Sequence, residues 1–159
     1  MKKINWGIIG LGNIAQNFSD SFQEVRNANL LAISSNNPIK LEKFQKKYDI
    51  DKKFTFNQYE KLLQCEEIDV VYITLPHSFH YEWIIKSLES NKRVVVEKPA
   101  TINLNEALNV KKKVIDKKIF FVEGFMYRYH PQTIKIVNLI KEKAIGNLIS
   151  MTSNFGTNL

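Results

Sequence analysis

Apolar positions along the chain follow two alternating patterns. Short continuous apolar runs predict strands over 4–9, 30–34, 53–56, 69–74, 93–96 and 119–122. Between them, apolar residues recur every three or four positions, which predicts helices over 13–25, 39–48, 57–63, 78–90 and 103–117. Regular strand–helix alternation is typical of a parallel sheet covered by helices on both faces. The sequence therefore predicts an α/β fold with a Rossmann-type doubly wound parallel sheet.

Several predicted helix starts carry local capping signals. Asn57 and Asn103 are each followed three residues later by a glutamate, which is the pattern of a capping box. Pro38 stands at a predicted first turn, where proline needs no hydrogen-bond partner. Ser78 is a candidate N-cap for the helix after the fourth strand.

The pattern changes after residue 123. Pro131 predicts the start of an amphipathic helix that runs to residue 143, and Gly146 is expected to end it. Residues 148–155 then alternate partly like a strand. We therefore expect residues 1–123 to form a nucleotide-binding domain. Residues 124–159 are expected to be the crossover helix and first strand of a second α/β domain that is otherwise missing from this chain.

Composition narrows the functional classes. The chain has 159 residues and a net charge of +7, from 23 Lys+Arg against 16 Asp+Glu. Most lysines fall on polar helix faces without interleaved aromatic residues, so no nucleic-acid partner is expected. The only cysteine, Cys65, excludes a disulfide framework and fits a reducing cytoplasm. No apolar stretch reaches the ~20 residues of a membrane span, so no membrane partner is expected.

A glycine motif follows the first predicted strand directly. It reads Gly10-x-Gly12-x-x-Ala15, in the order strand, turn and helix start that a dinucleotide pyrophosphate needs. Gly10 permits the tight turn, Gly12 lets the backbone approach the phosphates, and Ala15 lets the helix pack closely. Backbone N–H groups at the helix start would bind the anion. The predicted cofactor-binding residues here are Gly10, Gly12, Asn13 and Ile14.

The turn after the second strand bears on the choice of cofactor. An Asp or Glu about 20 residues past the glycine motif favours NAD, because it binds the adenosine ribose. This chain instead has small polar residues there, with one nearby cation; the predicted contacts are Ser35, Asn36 and Lys40. These residues favour NADP slightly over NAD. A plain polar turn without discrimination remains the alternative.

Two further loops lie at the carboxyl ends of predicted strands. In the first, Leu75, Pro76 and His77 are candidate cofactor contacts. His80 either faces the cofactor or is a hydrogen-bonded packing group. His77 and His80 are three residues apart but lack a third ligand nearby, so no metal site is expected.

The second loop reads Glu97-Lys98-Pro99. Lys98 is the candidate catalytic residue, because its ammonium can hold both a substrate hydroxyl and the nicotinamide ribose. Glu97 can orient Lys98 electrostatically and is a further candidate contact. A surface ion pair between these two residues is the alternative. Pro99 is a candidate for a preceding cis peptide bond.

Four motifs together resemble the Gfo/Idh/MocA oxidoreductase family. They are the glycine motif, Leu75–His80, Glu97–Pro99 and Glu123–Pro131, and the last resembles the branch of dihydrodiol and D-xylose dehydrogenases. The resemblance implies that Lys98 contacts cofactor and substrate, and that Glu97, His80 and Arg128 line the nicotinamide side or the interdomain cleft. His77 departs from the asparagine and Asn36 from the arginine that are often found in the family.

The resemblance implies an NAD(P)-dependent oxidoreductase that transfers a hydride between nicotinamide and a sugar- or diol-like carbon. The family's second domain carries a further acid–base residue, most sugar contacts and the oligomer interface. We therefore expect a small-molecule substrate, a homo-oligomer only with that domain, and weak or no turnover by this chain alone. The alternative is a non-catalytic dinucleotide-binding fragment or split subunit.

Overall fold

The structure is a computed structural model that describes residues 3–156. The chain divides into two compact units, Met1–Gly124 and Phe125–Leu159. The first unit contains all of the described strands, and the second contains one helix and a short 3-10 turn.

The first unit is built on one six-stranded sheet. Every neighbouring pair of strands is parallel, in the order β3-β2-β1-β4-β5-β6. The strands are β1 Ile4–Ile9, β2 Ala28–Ser34, β3 Thr55–Phe56, β4 Val70–Ile73, β5 Arg93–Val96 and β6 Phe121–Glu123. The chain reverses its direction of travel across the sheet between β1 and β4, and such a switch point leaves a crevice beyond the strand ends.

Helices cover both faces of this sheet, as the alternating pattern predicts. They are α1 Asn13–Asp20, α2 Pro38–Lys47, α3 Tyr59–Gln64, α4 His80–Glu89 and α5 Leu104–Lys117. Ile8 and Ile9 are adjacent in β1 and both fully buried, yet they belong to different apolar clusters. The Ile8 cluster draws on α1 and α2, whereas the Ile9 cluster draws on α3, α4 and α5. The predicted doubly wound Rossmann-type fold is therefore confirmed.

Two predicted helix starts are wrong. Helix α3 begins after Gln58, which makes no side-chain cap, so Asn57 forms no capping box. Glu60 instead pairs with Lys86 of α4 at 3.0 Å. Ser78 lies inside a 3-10 turn, His77–Phe79, and does not cap α4. In both cases, the backbone turn before the helix decides which side chain can reach the first amides.

Other helix ends are close to the expected positions. Asn103 caps α5 as predicted, with its Oδ1 accepting from the Glu106 N–H at 3.0 Å. Helix α1 is shorter than expected, because a 3-10 turn over Ser21–Glu24 replaces its last predicted turn. The Ser21 hydroxyl donates to the Phe18 carbonyl at 2.7 Å there.

The second unit contains the helix predicted after Pro131. Helix α6 spans Pro131–Lys141, follows a 3-10 turn over Met126–Tyr129, and is capped by the His130 side chain. The strand predicted over 148–155 is wrong, since residues 147–156 form no strand. A strand needs a neighbour for its backbone N–H and C=O groups, and the described part of this unit offers none. Nowhere in residues 3–156 is a helix long and apolar enough to cross a bilayer.

Candidate functional site

The carboxyl ends of β1, β2 and β4 surround a cleft of about 590 Å³. It lies at the switch point, where ligands of open α/β sheets bind. Seven of the predicted cofactor-binding residues line it: Gly10, Gly12, Ser35, Asn36, Lys40, Leu75 and Pro76. The sequence-based prediction therefore names residues that converge from three separate loops.

Gly10 forms the sharp turn out of β1. Its φ of +89° belongs to the left-handed region, which L-residues with a side chain rarely adopt. A Cβ there would also stand 3.1 Å from the Thr74 carbonyl oxygen and 3.2 Å from the Leu75 nitrogen. Glycine at this position is thus required by the fold itself, with or without a ligand.

Gly12 has a different role, because no protein atom lies within 4 Å of where its Cβ would be. It precedes α1 and offers no side chain to accept from the first amides of the helix. The N–H groups of Asn13 and Ile14 have no partner within the helix and point out of its N-terminus, which is the positive end of the helix dipole. An open approach to unpaired amides is what a diphosphate needs, so these residues fit the pyrophosphate of a dinucleotide.

The loop after β2 is organised by its own polar side chains. The Ser35 hydroxyl accepts from the Asn37 N–H at 3.2 Å, and Asn37 Oδ1 accepts from the Lys40 N–H at 3.1 Å. These bonds set the start of α2 and leave the ammonium of Lys40 exposed at the cleft. Within residues 3–156, no Asp or Glu lines the cleft.

The loop after β5 places a lysine and a carboxylate at the same edge of the sheet. Lys98 is exposed, and the peptide bond between it and Pro99 is cis, as expected. Lys98 and Glu97 do not pair with each other in the described chain. Glu97 instead accepts a hydrogen bond from the Tyr72 hydroxyl. The catalytic role of Lys98 stays a prediction.

Tyr72 is a residue that the sequence analysis did not single out. It lies on β4, is only 4% exposed, and its ring packs on Phe18 with centroids 4.2 Å apart. Burial, followed by the contact with Glu97, holds the pKa of the Tyr72 phenol well above its usual range. Tyr72 is therefore a neutral hydrogen-bond donor to a partly buried carboxylate.

His80 corresponds to the second of its two predicted alternatives, because it is fully buried and does not line the cleft. Its Nδ1 lies 2.7 Å from the Pro99 carbonyl oxygen, and its Nε2 lies 2.7 Å from the Leu75 carbonyl oxygen. His80 thus links the loop after β4 to the loop after β5. Burial and these two contacts support a packing role for His80, and its contact with a cofactor stays a prediction.

The other predicted contacts lie outside the cleft lining. Asn13 and Ile14 are in the first turn of α1, His77 is exposed at the start of its 3-10 turn, and Arg128 is an exposed residue of the second unit. Their roles stay predictions. No group of three potential metal ligands is found among residues 3–156.

Five residues that line the cleft are not among the predicted contacts. Leu11, Asn37 and Thr74 belong to stretches that the sequence places at this edge, whereas Pro38 and Tyr59 were missed. Tyr59 carried a usable signal, because it begins α3 shortly after β3 and so belongs to the same edge of the sheet. Thr74 follows β4 directly, and its hydroxyl donates to the Gly10 carbonyl oxygen at 2.7 Å. Both follow from the rule that parallel strands end together.

Known proteins of similar sequence are oxidoreductases. D-xylose 1-dehydrogenase (NADP(+)) of Hypocrea jecorina is 30% identical over 166 residues, covering 98% of this chain and 42% of that protein. Trans-1,2-dihydrobenzene-1,2-diol dehydrogenase of Bos taurus is 25% identical over 158 residues, covering 98% of this chain and 47% of that protein. This chain thus spans less than half the length of either relative.

A solved structure shows the same fold. Scyllo-inositol dehydrogenase from Lactobacillus casei, with bound NAD(H) and scyllo-inositol, superposes with a TM-score of 0.84 at 26% identity. The match covers 91% of this chain and 43% of that one. The profile of the Gfo/Idh/MocA oxidoreductase family, NAD-binding Rossmann fold, matches residues 4–125. The chain therefore belongs to the Gfo/Idh/MocA oxidoreductase family and carries its NAD-binding Rossmann domain.

Proposed function

We propose that this chain is the dinucleotide-binding part of an NAD(P)-dependent oxidoreductase that acts on a sugar- or diol-class small molecule. The observation that carries the proposal is the open, uncapped start of α1 behind Gly12. The relatives named above are dehydrogenases of a sugar, a diol and a cyclitol, which supports the substrate class. Nucleic acid is not a proposed partner.

Lys98 is the proposed catalytic residue. When bound, the nicotinamide supplies the hydride chemistry, and the protein contributes orientation and electrostatics. Lys98 Nζ would donate to the substrate oxygen, and its positive charge would favour the alkoxide character that develops there during oxidation. In a chain that also carries a substrate domain, Lys98→Ala is expected to lower kcat strongly with the fold intact. An unchanged kcat would make Lys98 a surface lysine.

We further propose a preference for NADP over NAD. The cleft beside Ser35 offers hydroxyl, amide and ammonium groups and no carboxylate among the described lining residues, so a 2′-phosphate meets no repulsion. Lys40→Gln should weaken NADPH binding by about two- to fivefold and leave NADH unchanged, as expected for one exposed charge pair. Lys43→Gln removes the same charge from α2 at a residue outside the cleft lining and serves as the matched control.

Calorimetric titration of the purified chain with NADPH and NADH tests dinucleotide binding. Gly12→Val should abolish it at an unchanged melting temperature, because the new side chain would fill the approach to the helix amides. Gly156→Val adds the same side chain at another open glycine and should bind like the unmodified chain. Equal affinities for Gly12→Val and the unmodified chain would contradict the proposal.

The proposed setting is the cytoplasm. Burial raises the pKa of the Cys65 thiol, so the group is largely a protonated thiol near neutral pH. A reducing compartment suits a protein whose single cysteine has no partner cysteine. Fractionation of cells that express a tagged copy would test this location.

A further inference from the structure

The Tyr72–Glu97 pair lies outside the cleft lining, near the ends of β4 and β5. The cleft at β1 and β2 offers groups for the pyrophosphate and the adenosine. A dinucleotide that crosses the switch point therefore extends its other half toward the ends of β4 and β5. Glu97 is the first residue after β5, and its backbone N–H continues the sheet by donating to the Ile73 carbonyl oxygen at 3.0 Å.

The Glu97 carboxylate is held by one hydrogen bond and lies close to the Gly124 backbone. Oε1 accepts from the Tyr72 hydroxyl, and a Cβ on Gly124 would lie only 3.2 Å from the same oxygen. The Gly124 N–H donates to the Val96 carbonyl oxygen at 2.7 Å, which fixes the backbone beside it. Glu97 itself is half-buried, and the described contacts give its second oxygen, Oε2, no hydrogen bond.

We propose that Tyr72 is a positioning residue, which holds Glu97 as a fixed negative charge that favours the oxidised over the reduced nicotinamide cofactor. The inference rests on the proposed dinucleotide function and deepens it. It assigns to this site a preference between two redox states of one cofactor.

The physical reason is the difference in charge between the two forms of the ring. Oxidised nicotinamide is a cation and reduced nicotinamide is neutral, so a nearby carboxylate attracts only the first. Tyr72 donates without neutralising Glu97, because the buried phenol keeps its own proton. Lys98 is the adjacent cation, and its charge opposes that of Glu97. It is present in the unmodified chain and in every Glu97 and Tyr72 variant, so its effect cancels when those proteins are compared.

The test measures dissociation constants of NADP⁺ and NADPH for the full chain and three variants. Glu97→Gln should weaken NADP⁺ relative to NADPH by about two- to fivefold, the effect of one partly exposed ion pair. Tyr72→Phe should shift the ratio in the same direction, and the double variant should match Glu97→Gln alone. Tyr48→Phe is the control, since it also removes a hydrogen-bonded phenol hydroxyl, whose partners are Gln16 and Asp20 of α1 instead of Glu97.

Several results separate the possible failures. An unchanged ratio in Glu97→Gln overturns the inference, and a ratio that changes in Glu97→Gln but not in Tyr72→Phe overturns the role of Tyr72. If the unmodified chain binds neither cofactor, the proposed function fails together with the inference.

A merely structural role for Tyr72 would weaken the binding of both cofactors equally. A structural role would also weaken the binding of phospho-ADP-ribose, which lacks the nicotinamide. Under the proposal, phospho-ADP-ribose should bind all variants with the same affinity. Should Tyr72→Phe fail to fold, Glu97→Gln and the restoring variant Glu97→Asp still decide the charge effect.

Discussion

Gly10 and Gly12 are separated by one residue but meet different physical demands. Gly10 adopts a left-handed φ of +89° against the Thr74 and Leu75 backbone, whereas Gly12 faces open space. The sequence motif predicts a turn at the first glycine and a close backbone approach at the second. The structure adds the physical reason: a side chain at position 10 would meet the neighbouring backbone, whereas position 12 has room for one.

Gly10→Ala should therefore destabilise the protein, while Gly12→Ala should not. The alanine at position 10 must take a left-handed conformation and meet the backbone of the loop after β4, at a cost of at least about 1 kcal/mol. Urea unfolding of both variants measures the difference in free energy of unfolding. Equal stabilities would mean that the turn relaxes around a side chain at position 10.

The phenol of Tyr72 makes the stability of the fold sensitive to alkaline pH. Its pKa is raised in the folded protein by burial and by Glu97, whereas the unfolded chain has the ordinary value of about 10. The resulting contribution to stability is fully present below about pH 10 and is lost as the pH rises above it.

We expect the free energy of unfolding to fall above about pH 10 in the unmodified chain and less steeply in Tyr72→Phe. Urea unfolding across the alkaline range, with tyrosinate absorbance as the probe, measures both curves. Tyr129→Phe, at an exposed tyrosine of the second unit, is the comparison variant. Parallel curves for Tyr72→Phe and the unmodified chain would show that folding does not change the pKa of Tyr72.

The starts of helices α3 and α5 carry similar sequences and can be compared within one chain. Asn57-x-x-Glu60 and Asn103-x-x-Glu106 read alike, but only Asn103 caps a helix. Asn103→Ala should lower the free energy of unfolding by about 1 kcal/mol, the usual effect of removing a cap. Asn57→Ala should change it little. Similar losses in both variants would imply that Asn57 also caps a helix in solution.

The strands of the central sheet could be predicted closely because their signal is burial on both faces. The predicted bounds of β1 and β5 agree with the structure at both ends. The strand expected over 148–155 is absent from the described chain, since alternation there has no neighbouring strand to pair with. Strand formation depends on partners distant in sequence, and no local pattern reports whether such a partner exists.

The candidate site was predictable to the extent that it follows strand ends. The glycine turn and the loops after β2 and β4 supply residues that line the cleft, as expected. The contacts of Tyr72 and His80 could not be predicted from the sequence, because they depend on which strands are neighbours and on the register of their pairing. Tyr72 lies opposite Val95 in the parallel pairing of β4 and β5, so Glu97 falls on its side of the sheet.

Binding should stabilise the first unit as a whole. A ligand that binds only the folded state, at one hundred times its dissociation constant, adds about 2.7 kcal/mol to the free energy of unfolding. For a chain of this size, that corresponds to a rise in melting temperature of about 5 to 10 °C. NADPH should produce this shift in the unmodified chain and none in Gly12→Val. A similar shift in both would place the ligand elsewhere.

The imidazole of His80 has a consequence for how the site can change in evolution. Because one ring contacts the carbonyl oxygens of both Leu75 and Pro99, the two loops form a single mechanical part. A substitution that displaces the loop after β4, which lines the cleft through Leu75 and Pro76, would also displace the loop that carries Lys98. The shape of the cleft beside β4 and the placement of Lys98 are thus coupled traits, and mutations that alter one will tend to require compensation in the other.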